Sequence, residues 1–429
     1  MKVYSHQEKR FDAKIAAMLQ SSSLFNKTIV DRTTAIIDDV RQRGDKALIH
    51  FTKKFDHATL TTKTLRVSER EQSEARPSSS SVSRAIREAA KNIRTFSKAS
   101  MRKAWKIKNS HNASVGEKFD PFDRVGLYIP GGTAPLVSTA LMTITLAKVA
   151  GCKEIVVCTP CSTDGSVNKD LLYTLRLAGA TEIYKVGGAQ AIAAMALGTK
   201  SIKRVSKIFG PGNAYVVAAK CALFGHVAID LLPGPSEVLI IADQSANPDW
   251  IAADLIAQAE HGSGHERVVF LTTSKQLIQK VSRSVAKQLP ERSRASYIKK
   301  ALDDNGWALH VASLEQAVQI TNQFAPEHCE IMTKQNSKLE KAITTAGAIF
   351  SGDFSPTVLG DYAAGPSHVL PTGGAGRSFA GLTVDQFQRR TSVVQYGKTS
   401  LKAALETVES FATMEGLDGH GRSASIRLD

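Results

Sequence analysis

Short runs of β-branched and aliphatic residues alternate with segments of helical periodicity from about residue 124 to about residue 351. Strands at this spacing, each followed by a helix, pair most readily as parallel strands joined by crossover helices. The alternation therefore predicts an α/β fold class with two Rossmann-like parallel-sheet lobes, flanked by smaller helical N- and C-terminal segments. The runs predicted as strands are RVGLYIP, EIVVCT, EIYKV, KIFGP, VAIDLL, EVLIIAD, RVVFLTT, ALHVAS, EIMT and GAIFSG.

The same pattern divides the chain into four regions. A mainly helical N-terminal region, 1–120, is expected to pack on the second lobe. The first lobe spans 121–235, the second lobe 236–375, and a C-terminal helical segment with a tail spans 376–429. In parallel sheets the loops after the carboxyl ends of strands usually carry the chemistry, so we expect the functional residues there.

Composition and charge indicate which kinds of partner the protein is expected to lack. No apolar run reaches the ~18–20 residues of a membrane span, and the N-terminus lacks an apolar signal core, so we expect a cytoplasmic protein without membrane contact. The net charge of +15 suggests nucleic acid as a partner. However, the basic residues between 84 and 108 have helical spacing beside an apolar stripe, which is typical of a solvated helix face. We therefore expect no nucleic-acid partner.

Two short motifs contain groups that can bind a metal or move protons. Gln258 and His261 lie three residues apart on a predicted last helical turn, which suits two ligands of one ion, although a histidine there is also a common surface residue. Glu327 and His328 offer a carboxylate beside an imidazole for acid–base work, or a chance pair in a surface loop. Asp361 is a possible hard ligand or a turn cap.

Other motifs are absent or ambiguous. No GxGxxG follows a strand, and neither GxxxxGK[ST], HExxH nor GxSxG occurs. The five cysteines are too few for a disulfide framework, and the isolated pair Cys158 and Cys161 indicates buried or incidental thiols rather than a zinc or redox site. The tail EGLDGHG is Gly-rich, yet it carries Glu415 and His420 together after an apolar helix.

Eight motifs in order give the chain a resemblance to a known family. RVGLYIPGG, YKVGGAQAIAAMALGT, KIFGPGNAYV, GPSEVLIIAD, LIAQAEHG, FAPEHCEI, GDYAAGPSHVLPTGG and EGLDGHGRS resemble the motifs of histidinol dehydrogenases. The resemblance covers roughly residues 25–428. It implies an NAD-dependent, zinc-containing homodimer that oxidises L-histidinol through L-histidinal to L-histidine, the last step of histidine biosynthesis.

The resemblance also implies roles for single residues. The positions that match the family's site, motif by motif, are Gln258, His261, Asp361 and His420 for zinc; Glu327 and His328 for acid–base catalysis; Tyr128, Gln190 and Asn213 for NAD; and Ser236 and Glu415, together with the zinc ligands and His328, for the substrate. His420 would come from the partner subunit, so that the tail of one chain completes the active site of the other.

Four positions depart from the family pattern: Pro233, Cys329, Thr357 and Ser367. None is a predicted ligand or catalytic group, but they leave open a related zinc and NAD dehydrogenase that acts on another small polar alcohol. Cys329 also leaves open an aldehyde dehydrogenase with a cysteine nucleophile. Retention of Glu415, which the resemblance places at the substrate, favours histidinol.

Overall fold

The computed structural model of the chain describes residues 1–20, 27–131, 136–232, 234–261 and 264–429. Pro233 lies outside this range, as does Pro135 at the predicted start of a helix. No helix in the described ranges is long and apolar enough to cross a membrane. The strands are β1 (Lys2–Ser5), β2 (Trp105–Lys108), β3 (Ser114–Pro121), β4 (Arg124–Tyr128), β5 (Glu154–Thr159), β6 (Glu182–Lys185), β7 (Lys207–Phe209), β8 (Ala228–Ile229), β9 (Glu237–Ala242), β10 (Arg267–Thr272), β11 (Gly306–His310), β12 (His328–Met332), β13 (Ala348–Ser351) and β14 (Gln388–Gln395).

Helices connect these strands and cover the sheets. They are α1 (Phe11–Leu19), α2 (Lys27–Arg43), α3 (Asp45–Phe55), α4 (Glu69–Glu74), α5 (Ser80–Ser100), α6 (Val137–Ala150), α7 (Lys169–Ala178), α8 (Gly188–Leu197), α9 (Ala214–Leu223), α10 (Pro248–Ala259), α11 (Lys275–Gln288), α12 (Ala295–Asn305), α13 (Leu314–Phe324), α14 (Asn336–Ala342), α15 (Val358–Tyr362), α16 (Lys398–Glu415) and α17 (Asp418–Ser425). Short 3-10 turns occupy Leu289–Glu291, Ala375–Arg377 and Val384–Phe387.

The first lobe contains a parallel sheet with the strand order β6-β5-β4-β7-β8. The chain enters at β4, adds β5 and β6 on one side, and then crosses over to add β7 and β8 on the other. The strand order therefore reverses between β4 and β7. In sheets of this kind a crevice forms at that reversal, outside the carboxyl ends of the two strands, and it is the usual place for a ligand.

The second lobe repeats this plan around a parallel sheet with the order β1-β11-β10-β9-β12-β13. Its central strands β9, β10 and β12 are buried along their whole length. Burial along the whole strand is typical of sheets covered by helices on both faces. The two parallel sheets confirm the predicted α/β fold class.

The N-terminal region is divided between the two lobes. The strand β1 pairs with β11, and α1 packs on α13, both in the second lobe. In contrast, α2 and α3 pack on α8, and α5 packs on α6, in the first lobe. The apolar side chains of α2 and α3, such as Val40 and Leu48, join the core formed by the first sheet. The expectation that the whole of 1–120 packs on the second lobe is therefore wrong for α2, α3 and α5.

A third, antiparallel sheet has the order β14-β3-β2 and was not predicted. Its strands are polar and largely accessible, so no apolar run marks them in the sequence. The strand β14 also lies within 376–429, which was predicted to be helical only. The helices α16 and α17 follow it and pack on each other as a C-terminal arm.

The basic segment between residues 84 and 108 includes most of α5. This helix buries Ile86, Ala90 and Ile93 and exposes Arg87 and Arg94. Packing of the apolar stripe therefore accounts for the helical spacing of the positive charges.

Candidate active site

Glu327 and His328 form a buried pair at the amino end of β12. The chain reaches them through Ala325, which ends α13 in the left-handed conformation (φ 51°) and is itself fully buried. Such a backbone is unfavourable for alanine and persists only where the surroundings hold it. Only 6% of Glu327 and 5% of His328 is exposed. The interpretation of this dipeptide as a surface loop is therefore wrong.

The main chain of Glu237, in the adjacent strand β9, orients both side chains. Its N–H donates to Glu327 Oε2 at 2.8 Å, and its carbonyl oxygen lies 2.9 Å from His328 Nδ1. A carbonyl can only accept, so Nδ1 carries the proton of the neutral ring and Nε2 is left with a free lone pair. The geometry thus presents Nε2 of His328 as a base.

Burial shifts the pKa values of the pair toward the neutral forms. It lowers the pKa of His328, although Asp361 and the Glu237 carbonyl partly offset the effect. It raises the pKa of Glu327 well above its usual value; the Glu237 N–H opposes this change, and the charges of Glu237 and Asp361 add to it. A neutral imidazole beside a carboxyl group of raised pKa can exchange protons near neutral pH.

Asp361 lies beside this pair among several imidazoles. Its Oδ1 is 3.6 Å from His368 Nδ1. Burial alone would raise the pKa of Asp361, but the neighbouring His368 and the charges of His328 and His261 together lower it. The carboxylate of Asp361 therefore lies within electrostatic reach of His261 and His328.

His368 is a residue of this cluster to which the sequence assigned no role, although it stands in the motif GPSHVLPTGG. Its Nε2 lies 3.2 Å from Thr139 Oγ1 in α6. Because α6 belongs to the first lobe and Asp361 to the second, His368 links the two lobes at the site.

Gln258 lies near the end of α10, and only 3% of it is exposed. Its amide nitrogen Nε2 has no hydrogen-bond partner in the described part of the chain. The helix ends at Ala259, so His261 lies in the turn beyond it and is exposed. The prediction that Gln258 and His261 share a last helical turn is therefore wrong in detail.

Ser236 directly precedes β9, and its side chain lies close enough to Glu327 to lower the pKa of that carboxyl group. Glu415 and His420, by contrast, are exposed on the C-terminal arm. In the described ranges they make no hydrogen-bonded side-chain contact or ion pair with the other predicted site residues. Those ranges also contain no cluster of three His, Cys, Asp or Glu side chains arranged to hold a metal ion.

The three residues predicted to contact NAD line one cavity of about 1180 Å³ at the carboxyl end of the first sheet. Tyr128 ends β4, and its hydroxyl accepts a hydrogen bond from the Gly188 N–H at 3.0 Å. Gln190 lies in α8, and its Oε1 is buried without a partner among the described residues. Asn213 follows β7 and caps α9, because its Oδ1 accepts from the N–H groups of residues 215 and 216.

The two lobes use opposite ends of their sheets. The cavity lies where the first sheet reverses its strand order, at the carboxyl ends of β4 and β7, as expected. In the second lobe, Glu327, His328 and Ser236 lie at the amino ends of β12 and β9. The expectation that functional residues follow the carboxyl ends of strands is therefore wrong for the second lobe.

Cys329 is fully buried and faces away from His328, since neighbouring residues of a strand point to opposite sides of the sheet. It packs in the core with Leu239 and Ile331, and burial raises its pKa. We expect Cys329→Ala to keep kcat/KM within about tenfold, a loss of ~1.4 kcal/mol or less in transition-state stabilisation. Steady-state kinetics beside Cys221→Ala, at an exposed cysteine, would measure this. Loss of turnover in a folded Cys329→Ala protein would instead indicate a cysteine nucleophile.

A buried Glu–His pair on one lobe and a large cavity on the other are the features of a two-lobed α/β enzyme. The histidinol dehydrogenase family model matches residues 19–428. The histidinol dehydrogenase of Geobacillus kaustophilus is 44% identical over 92% of this chain and 92% of its own. That of Rhodopseudomonas palustris is 42% identical over 98% of this chain and 97% of its own.

A solved structure of the same family also matches this chain. The crystal structure of histidinol dehydrogenase from Elizabethkingia anophelis matches with a TM-score of 0.95 and 37% identity, and the match covers 100% of this chain and 98% of that one. The chain belongs to the histidinol dehydrogenase family. This confirms the resemblance seen in the motifs and the predicted class, an NAD-dependent oxidoreductase of histidine biosynthesis.

Proposed function

We propose that this protein oxidises L-histidinol to L-histidine in two successive steps, with L-histidinal between them. The observation that carries the proposal is the buried pair of Glu327 and His328, whose orientation the main chain of Glu237 determines. NAD, when bound, supplies the hydride acceptor for both steps. The protein's part is to align the reacting carbon and to move the protons.

His328 is the base of both oxidations in this proposal. In the first step its Nε2 takes the hydroxyl proton of the alcohol as the carbon loses hydride, and the product is the aldehyde. The second step starts from the hydrated aldehyde, whose hydroxyl proton again passes to Nε2. The lowered pKa of His328 supports this role, because the ring must be neutral before it can accept a proton.

In this proposal Glu327 is the base that activates water for hydration of the aldehyde. Its carboxylate accepts a proton from water as the water oxygen bonds to the carbonyl carbon. The carbonyl oxygen takes the proton that His328 gained in the first step, which returns the His328 ring to its neutral form. Burial raises the pKa of Glu327 and so increases the proton affinity of the ionised form. The hydroxyl of Ser236, which lies near Glu327, would contact the substrate.

The cavity of the first lobe is the proposed NAD site. Its volume of about 1180 Å³ exceeds the ~300–1000 Å³ of typical small-molecule pockets, as a dinucleotide requires. The buried and unpartnered Oε1 of Gln190 also fits a ligand that brings hydrogen-bond donors. Tyr128, Gln190 and Asn213 would therefore contact NAD.

The residues around Asp361 fit a zinc ion. Gln258 is buried and would offer its amide oxygen, and Asp361 is a carboxylate whose pKa the neighbouring imidazoles lower. With His261 and His420 of the partner subunit they form a mixed nitrogen and oxygen ligand set of the kind that zinc accepts. Bound zinc would hold the imidazole and amine nitrogens of the substrate. Gln258, His261, Asp361 and the partner's His420 would hold the metal.

A homodimer with shared active sites is part of the same proposal. The C-terminal arm that carries Glu415 and His420 exposes several large apolar side chains, namely Phe411, Met414, Leu417 and Ile426. Such a patch on a protein surface usually marks an interface. A partner subunit that covers the arm would bring Glu415 to the substrate and His420 to the zinc. A cytoplasmic location also belongs to this proposal, and the five free cysteines are in keeping with it.

The proposed function is tested by measuring how many NADH molecules form per molecule of L-histidinol. The zinc-supplemented protein is given excess NAD and a limiting, known amount of L-histidinol, and NADH is measured by absorbance at completion. We expect two NADH per histidinol, and one per molecule when L-histidinal replaces it. One NADH per histidinol with accumulated aldehyde would contradict the second oxidation. Absence of turnover, while another small polar alcohol reacts, would favour the related dehydrogenase activity.

A further inference from the structure

The lining of the first-lobe cavity includes buried oxygen atoms without hydrogen-bond partners. Asp56 Oδ2, Thr159 Oγ1 and Gln190 Oε1 are all buried, and none has a hydrogen-bond partner in the described part of the chain. All three residues line the cavity. Thr159 is fully buried, and Gln190 is 1% exposed. Buried polar atoms rarely stay unpaired, so the cavity fits a ligand that brings hydrogen-bond donors.

Asp56 is the charged member of this group. It directly follows α3, and its own N–H donates to the carbonyl of Thr52 at the helix end. Its charge contributes to the raised pKa values of Tyr128 and Cys161, which places the carboxylate beside the predicted cofactor contacts. Burial raises the pKa of Asp56 to about 6, and His57 only partly offsets this effect.

The cavity wall carries three other charged residues, of which only Asp39 is in an ion pair among the described residues. Asp39 is bound by Arg43. Arg32 donates to the hydroxyl of Tyr215 at 3.3 Å, and the Lys54 ammonium lies 5.5 Å from the centre of the Phe55 ring. The described residues form no ion pair with Asp56. Its carboxylate therefore depends on a ligand for donors.

The fold indicates which end of a dinucleotide would meet Asp56. The walls formed by α2 and α3 pack on α8 and α9 in the first lobe. The nicotinamide must lie near His328, which belongs to the second lobe. The adenosine end would therefore extend toward α2 and α3, where Asp56 lies.

We propose that Asp56 accepts hydrogen bonds from the hydroxyl groups of the adenosine ribose and so selects NAD against NADP. The inference rests on the proposed location of NAD in this cavity. A ribose with two free hydroxyls supplies the donors that the carboxylate lacks. The 2′-phosphate of NADP removes one donor and brings a charge of about −2 next to the carboxylate, which repels it.

The test is direct binding by titration calorimetry, with the full-length, zinc-supplemented protein and with NAD and NADP as separate ligands. The native protein is expected to bind NAD at least about a hundredfold more tightly than NADP. Loss of a hydrogen bond to a charged group costs a factor of about 10 to 100 in affinity, so Asp56→Asn should weaken NAD binding by that factor. Its NADP affinity should stay the same or rise, and its zinc content should be unchanged.

Matched variants separate this inference from the location of the cofactor. Asp39→Asn removes a carboxylate from the same cavity wall, but one that Arg43 already binds, and it should keep the native NAD preference. If Asp56→Asn keeps its NAD affinity while Gln190→Ala loses it, the role of Asp56 is overturned. The cavity would then remain the proposed NAD site. Unchanged affinity in both variants would overturn both. Equal affinity of the native protein for NAD and NADP would overturn the inference without any variant.

Discussion

His328→Asn is expected to slow both oxidation steps by about a thousandfold, which corresponds to ~4 kcal/mol in each barrier. Asparagine can still donate to the Glu237 carbonyl, so the strand geometry is kept while the base at Nε2 is lost. The two steps are measured separately by single-turnover formation of NADH from L-histidinol and from L-histidinal.

The matched control for this variant is His310→Asn in the same sheet. His310 ends β11 and bonds to Ser5, away from the proposed site. It should keep a rate close to native. A His328→Asn protein that retains native rates in either half-reaction would remove His328 from the role of common base.

Glu327→Gln is expected to slow mainly the second oxidation, because Glu327 and His328 have different proposed roles. Glutamine keeps an oxygen acceptor for the Glu237 N–H but cannot take a proton from water. We expect oxidation of L-histidinal to fall by about a hundredfold or more and the first step by less than about tenfold. Equal losses in the two half-reactions would refute the division of labour between Glu327 and His328.

The second prediction with a large effect is the loss of bound zinc. His261→Asn should lower the zinc content below about a tenth of an ion per subunit after dialysis, since it removes a nitrogen ligand from a four-residue set. Elemental analysis of the purified protein measures the zinc directly, without an activity assay. His265→Asn changes a histidine in the same loop that is outside the proposed set, and it should retain the metal. Full zinc content in His261→Asn would contradict the ligand assignment.

The main chain of β9 shows why part of the site could not be predicted. The N–H and carbonyl of Glu237 orient Glu327 and His328, yet every residue has these two groups, so no sequence signal marks the position. His368 stood in a recognised motif without a role, because its link to Asp361 depends on how the two lobes meet. Asp56 is a candidate ligand contact only because α3 packs on the first lobe and so brings Asp56 to the cavity.

The sequence by itself determined the two parallel sheets and the residue types of the site. The run EIVVCT, predicted at 154–159, is β5 without change, because strands buried on both faces are mostly apolar. The eight motifs likewise identified the family.

Only the tertiary structure decided which ends of the sheets meet and which distant segments pair. The polar strands β3 and β14 carry no apolar signal and pair across most of the chain. Similarly, Glu327 and His328 lie at the amino end of β12, although the sheet pattern predicted functional residues at the carboxyl ends. Local periodicity reports which face of a segment is buried, whereas the partner of that face is set by contacts between segments remote in sequence.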